Sequence, residues 1–229
     1  MKRVQSFVLA IVLVVAGVLG AWQGQRDSDK QRSAAQHSFA DVERYRAIFE
    51  SSERDAWQKP EELIAALGVR PGMVIADIGA GTGYFARRFA VRVGPAGTVF
   101  ASDLEPNMVV EMRDRADRDG QANLIPVLAS TDDPRLPDRL SDVIFICDTW
   151  HHLADRVEYA RRLQDDLAPG GRVVIVDFFK RALPVGPPPP HKLAAEDVKA
   201  EFTEASYRLA ASLDLLPYQY VFIFELASP

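Results

Sequence analysis

Cysteine is all but missing from this chain. Cys147 stands alone among 229 residues, which excludes an intrachain disulfide and a cysteine-built zinc site. Histidine is scarce too. His37, His151, His152 and His191 show no H-x-x-x-H spacing, so no metal-ligand pattern is legible and no metal is expected. A basic excess is also lacking: 27 Lys plus Arg against 32 Asp plus Glu give a formal net charge of −5. Nucleic-acid binding needs a phosphate-neutralising surplus, and no nucleic-acid partner is expected. Internal repeats are absent as well. What the chain has in quantity is apolar residues, 48% of the total, enough to exclude wholesale disorder and to bury the core of one domain.

One stretch is apolar on every face. Phe7 to Trp22 carries no charge and no proline and follows Met1-Lys2-Arg3. A basic start, an apolar middle and the small residues Gly20 and Ala21 read as a signal peptide or membrane anchor over 1–22. No cysteine follows the run, so a lipoprotein anchor is excluded. Bases lie on both sides of it (Lys2 and Arg3 before, Arg26, Lys30 and Arg32 after), and the positive-inside rule leaves the orientation open. The expectation is a domain either exported, as a periplasmic protein, or anchored in an inner membrane by residues 4–22. Residues 23–38 are polar and read as a linker, and 39–229 as the folded domain.

Past Phe39, short β-branched runs alternate with longer amphipathic ones, the pattern of βαβ units around a parallel sheet. Helices are expected at Asp41–Ser51, from Pro60 to Gly68, Tyr84–Val93, Pro106–Asp119, Asp155–Leu167 and Ala194–Ala205. Strands are expected at Val74–Ile78, Thr98–Ser102, Asn123–Leu128, Asp142–Cys147 and Arg172–Phe178. Pro169-Gly170-Gly171 separates the last of these from its preceding helix. Gly186 with Pro187–Pro190 reads as a stiff loop. Tyr207, Leu209, Ala211 and Leu213 alternate as a strand of period two, and Tyr218–Leu226 reads as the closing strand. Five βα steps end in an antiparallel pair.

Asp77-Ile78-Gly79-Ala80-Gly81-Thr82-Gly83 sits at the first strand-to-helix turn. Glycines let the backbone bend sharply there and approach a ligand closely. Asp103 ends the second strand 20 residues past Gly83, where an acid binds ribose hydroxyls. A dinucleotide fingerprint needs G-x-G-x-x-G; here the third glycine comes one residue early and Tyr84 takes the required position. An acid at the strand end, Asp77, would repel a pyrophosphate and suits an amino group. The pattern fits a zwitterionic amino acid joined to a nucleoside.

VIADIGAGTGYFARRFA, VFASDLEPNM, LPDRLSDVIFICDTWHHL and LAPGGRVVIVDF occur in this order. With them the sequence resembles the class I S-adenosylmethionine-dependent methyltransferases of the type-11-like group over about residues 55–226. The resemblance implies an α/β, Rossmann-like seven-stranded sheet, mostly parallel with an antiparallel C-terminal strand pair, and S-adenosylmethionine as cofactor. It implies that Asp77, Gly79, Ala80, Gly81, Thr82 and Gly83 line the methionine part of that cofactor. Asp103 would accept both ribose hydroxyls, Leu104 would pack on adenine, and Asp132 or Asp133 would meet the adenine amino group. Family members often carry Gly-Asp just before that last position, where this chain has Ala129-Ser130. The two acids also read as turn-forming residues.

His151 and His152 follow the fourth strand, at the sheet edge where open α/β folds bind ligands. Either would orient an acceptor or remove its proton, and His152 equally reads as packing the next helix. Tyr84, Trp57, Trp150, Phe178 and Phe179 are expected around the cavity, where aromatic faces attract a sulfonium cation. Asp55–Pro60, with Trp57, is a candidate lid. The expected activity is methyl transfer to a small-molecule or membrane-associated acceptor. A non-catalytic S-adenosylmethionine- or nucleoside-binding envelope module is the second reading. An NAD-linked oxidoreductase is disfavoured by the glycine spacing.

Overall fold

The computed structural model describes residues 42–227. The apolar run, the polar linker, the expected domain start at Phe39 and His37 lie outside the described residues. Among those described, no helix is long and apolar enough to cross a membrane.

Three short helices lead into the sheet: α1 (Val42–Phe49), α2 (Ser52–Gln58) and α3 (Pro60–Ala66). Then come β1 (Val74–Ile78), α4 (Tyr84–Val93), β2 (Thr98–Asp103), α5 (Pro106–Arg118), β3 (Leu124–Leu128) and β4 (Ser141–Cys147). A 3-10 turn at Trp150–His152 precedes α6 (Arg156–Asp166), and the chain ends with β5 (Leu167–Phe178), α7 (Ala195–Glu204), β6 (Tyr207–Leu213) and β7 (Gln219–Leu226). The seven strands lie in the order β3-β2-β1-β4-β5-β7-β6. β1 to β5 pair in parallel, whereas β7 runs antiparallel to both β5 and β6. The α/β fold class expected from the sequence is therefore the one observed.

Apart from Asp77 and Asp177 near their ends, the inner parts of the central strands are apolar because both faces of the sheet are covered. Val143, Phe145 and Cys147 of β4 join Val174 and Val176 of β5 in one core with α3, α4 and α5. Ile144 and Ile146 join Val173 and Ile175 in the other, with α6, α7 and the Trp150 turn. In the first core Phe145 is fully buried, 4.8 Å from the Phe85 ring and 5.1 Å from Phe89.

Sequence and structure differ most in three places, around α2, at the start of β5 and within β6. Ser51 caps α2 by accepting from the Glu53 N–H at 3.3 Å, so the residues read as a lid form a helix. Lys59, at φ +44°, turns the chain directly from α2 into α3. β5 begins at Leu167 rather than Arg172, because Leu167 pairs with Ser141 before a register shift that carries Pro169-Gly170-Gly171. That insertion is a bulge inside the pairing rather than a stop before it. In β6 the alternation slips between Leu209 and Ala211, leaving Leu209 on the exposed edge.

Candidate active site

The site forms where β1, β2, β4 and β5 end, on either side of the point where the strand order reverses. Gly79, Gly81 and Gly83 all adopt positive φ, +71°, +58° and +83°. A side chain at Gly79 would overlap Thr149, so this glycine is what lets the β4 exit close against the loop. The loop's amides are spent internally. Gly79 and Ala80 N–H donate to the Ser102 carbonyl at 2.8 and 3.1 Å, Gly83 N–H to Ala80 at 2.9 Å, and Gly81 N–H to Asp103 Oδ2 at 2.7 Å. A pyrophosphate cradle needs such amides free. Those four engaged amides are not available to a pyrophosphate, in keeping with the glycine spacing.

Two carboxylates face each other across the glycines with different surroundings. Asp103 Oδ1 accepts from Glu105 N–H at 2.9 Å and Oδ2 from Gly81. Each oxygen keeps a second lone pair for a hydroxyl. Burial raises this carboxyl above its ordinary value, and the backbone donors oppose the rise. Asp77 is 3% exposed, and its Oδ2 has no hydrogen-bond partner. Burial, reinforced by the nearby Asp103 charge, lifts it to about 7. The Arg54 charge and the Ala86 N–H pull the other way, and the unpaired Oδ2 is open to a further donor.

Arg54 of α2 stands over this pair. Its guanidinium lies 4.0 Å from the Tyr84 ring centre and 3.7 Å from Asp148 Oδ2, and it donates to Gln58 Oε1 and to the Phe49 carbonyl. α1 covers the loop from the same side. The Phe49 ring would touch a Cβ at Gly81 at 3.3 Å, and Glu50 accepts from Thr82 Oγ1 at 2.7 Å while pairing with Arg115 at 2.8 Å. Leu104 is half-exposed where β2 ends. Asp132 is exposed and accepts from Ser130 Oγ at 3.0 Å, whereas Asp133 accepts from the Arg135 N–H at 2.7 Å. Both acids therefore serve a turn.

On the β4–β5 side a polar network is buried. Gln58 Nε2 lies 3.0 Å from Cys147 Sγ, 3.2 Å from Asp148 Oδ2 and 3.1 Å from Gln219 Oε1, and Gln219 donates to Asp148 Oδ1. Asp148 takes a left-handed φ of +56° to reach it. Burial pushes Asp148 up to about 6 against the pull of Arg54, and pushes the Cys147 thiol up as well, so the thiol serves as a neutral acceptor here. His151 Nδ1 lies 2.9 Å from both oxygens of Asp177, a fully buried acid near the end of β5. The His152 ring is 4.2 Å from that of His151, and its own side is exposed. Of the expected aromatic residues, Trp57 meets Phe178 at 5.8 Å and Tyr218 at 6.2 Å. Trp150 does not reach the cavity: it is fully buried against Phe202 at 4.9 Å and donates to Glu201.

Arg54, Gln58, Gln219 and Asp177 were not singled out by sequence. For Asp177 a signal existed, an acid inside the run VVIVDFF. Arg54 and Gln58 come from α2 and Gln219 from β7, and none of them leaves a signal.

Strand order, glycine loop and paired acids define a class I methyltransferase. Residues 75–171 match the family model described as a methyltransferase domain. A ubiquinone/menaquinone biosynthesis C-methyltransferase UbiE of Bordetella parapertussis is 32% identical over 218 residues, covering 86% of this chain and 79% of that protein. The UbiE protein of Bordetella avium is 34% identical over 68% of this chain, a stretch that spans only 62% of the relative. The fold is shared with an S-adenosylmethionine-dependent methyltransferase from Aquifex aeolicus, at a TM-score of 0.75 and 23% identity, over 80% of this chain and 97% of that one. The chain belongs to the S-adenosylmethionine-dependent methyltransferase family.

Proposed function

We propose that this protein transfers the methyl group of S-adenosylmethionine to a ring carbon of a small, lipid-soluble quinol. The observation that supports the donor is the orphaned Asp77 Oδ2, buried beside glycines whose amides are already engaged. A cationic α-amino group satisfies that oxygen with a charge-assisted bond, roughly twice as strong as one from a neutral donor. Arg54 is placed to take the carboxylate of the same amino acid, Asp103 the ribose hydroxyls and Leu104 one face of the adenine. When bound, the donor supplies a methyl already activated on a sulfonium. Much of what the chain adds is orientation and exclusion of water.

The quinol is supported by the printed function of the Bordetella relatives and by the aromatic group that Trp57, Phe178 and Tyr218 build at the end of β5. An apolar ring gains from such a wall and needs few polar contacts. The N-terminal apolar run fits the same reading. Held at a bilayer by residues 4–22, with the domain on the side where the donor is made, the enzyme would meet an acceptor that partitions into lipid.

Calorimetric titration of the full chain with S-adenosylmethionine, S-adenosylhomocysteine and NAD tests the donor. Binding of the two adenosyl ligands in the micromolar range and none of NAD is expected, and the reverse order would sink the proposal. A reporter fused after Pro229 tests the side of the membrane, with a cytosolic signal expected.

A further inference from the structure

The buried carboxylate of Asp177 has no part in holding the cofactor. It interrupts the run of Val, Ile and Phe from Val173 to Phe178 that ends β5, and it is fully buried. An ionised acid in such a place is costly unless paired and hydrogen-bonded. Its partners are the Phe178 N–H at 2.8 Å and the His151 imidazole, whose Nδ1 sits 2.9 Å from both oxygens. A carboxylate accepts and does not donate, so it selects the tautomer with the proton on Nδ1 and leaves the lone pair on Nε2. That turn is also anchored to the cofactor side. Thr149, two residues before His151, packs on Gly79 so closely that no side chain fits there.

We infer that His151 is the catalytic base of this methyltransferase and Asp177 its positioning residue, so that the acceptor is one that surrenders a proton on methylation, a phenol or hydroquinol. The inference rests on the methyltransferase reading and adds the group that takes the acceptor's proton. The hydroxyl proton of the acceptor passes to His151 Nε2. The electron pair of the resulting phenolate, delocalised to a ring carbon, forms the new bond to the methyl carbon. The S–CH3 bond breaks with its pair remaining on sulfur, the ring proton at the new C–CH3 centre is lost to water as aromaticity returns, and the His151 imidazolium gives its proton back to the phenolate oxygen. A tertiary amine or thioether acceptor has no proton to give and would need no such pair of residues.

The groups facing the imidazole agree with this role. Asp177 approaches from β5, Asp148 from the β4 exit, Arg156 from the start of α6, and the His152 ring from the same turn. Lys192, from the proline-rich loop, and Tyr220, opposite Asp177 in β7, sense the Asp177 charge. Burial pulls His151 down, and the hydrogen bond and charge of Asp177 outweigh it, leaving the imidazole above its ordinary value. Proton transfer in a transition state contributes about 10²–10⁴-fold, and that sets the size of the expected effect.

The test uses the full chain, its Asp177→Asn and His151→Gln variants, and a short-chain 1,4-naphthohydroquinone kept reduced as acceptor probe. Long-range 1H–15N spectra, recorded without donor, should show His151 carrying its proton on Nδ1 and titrating above the ordinary ~6.5. In Asp177→Asn that titration should fall. With donor, the Asp177→Asn kcat should drop by ~10–100-fold and the His151→Gln kcat by ~10²–10⁴-fold. KM and calorimetric affinity for S-adenosylmethionine should stay within about threefold. The acid limb of the kcat–pH profile should move with the imidazole titration. Asp177→Glu, which keeps the charge, should recover part of the loss. A His151→Gln enzyme retaining more than half of its rate, or a pH profile indifferent to Asp177→Asn, overturns the base. A wild-type chain that binds donor yet leaves the hydroquinone unmethylated overturns the acceptor class. Failure of the wild type to bind donor overturns the methyltransferase reading itself.

Discussion

The two sides of the sheet edge hold their functional groups by opposite means. On the β1–β2 side the glycine loop is fastened mainly by backbone amides within about two dozen residues of chain, Gly79 and Ala80 to Ser102 and Gly81 to Asp103. On the β4–β5 side the groups are fastened by side chains drawn from across the sequence: Gln58 to Gln219, Gln58 to Asp148, His151 to Asp177. Backbone fastening is nearly independent of side-chain identity once glycine is in place. Side-chain fastening changes with a single substitution. A cofactor loop can therefore persist while the acceptor side is rebuilt, the expected division for a fold that serves many acceptors.

The sharpest way to break this contrast is Asp77→Asn. It should weaken S-adenosylmethionine at least ~100-fold by calorimetry, because a charge-assisted contact is replaced by one that cannot pair with an ammonium. It should not weaken the fold. The Asp77 carboxyl sits near 7 when folded against an ordinary 3.8, so the native state holds more protons between about pH 4 and 7 than the unfolded chain does. Stability from this group is present below the unfolded value and is lost as the pH rises through the folded one. Without ligand, melting of the wild type should fall from pH 5 to 8, and Asp77→Asn should flatten that slope. A variant that melts lower than wild type at pH 8 would contradict the account.

Gly79→Ala comes next, expected to cost ~10–100-fold in donor affinity through the clash with Thr149 and the positive φ. Thr149→Ala in the same chain should recover part of the loss, since only the steric component is relieved. Recovery to the wild-type value would show that φ is irrelevant at this turn.

Gln58→Ala probes the side-chain-fastened half. It leaves the buried Gln219 and Asp148 short of a partner, a cost of about 1–3 kcal/mol. Thermal melting should fall by roughly 2–10 °C for a domain of this size, with donor affinity reduced less than in Gly79→Ala. The smallest effect is expected for Glu50→Gln. It weakens the pairs that hold α1 to Arg115 and Arg87 and should shift melting by only about 1–3 °C. Protease cleavage near residue 50 should rise without donor and fall when donor is added.

Much of the fold was legible in the chain. Strand β1 and helix α4 fall where expected because apolar periodicity, a glycine turn and the Gly94 stop are all local signals. Helix α2 was missed because its seven residues carry only Ala56 and Trp57 as apolar positions, too few to show a helical period. The start of β5 was misplaced because a proline-glycine-glycine bulge and a true stop look the same until Ser141 is known to pair with Leu167.

By itself the sequence determined the strand order's raw material, the glycine loop and the acids at the ends of β1 and β2, since each depends on residues close together in the chain. Only the tertiary structure decided that Arg54 stands over Asp77, that Trp150 belongs to the core, and that Asp177 holds His151. His151 and Asp177 are 26 residues apart, Trp150 and its partner Glu201 51, and Gln58 and Gln219 in the neighbouring network 161. Such contacts are set by how the sheet closes and which faces it buries. No local preference of the chain encodes them.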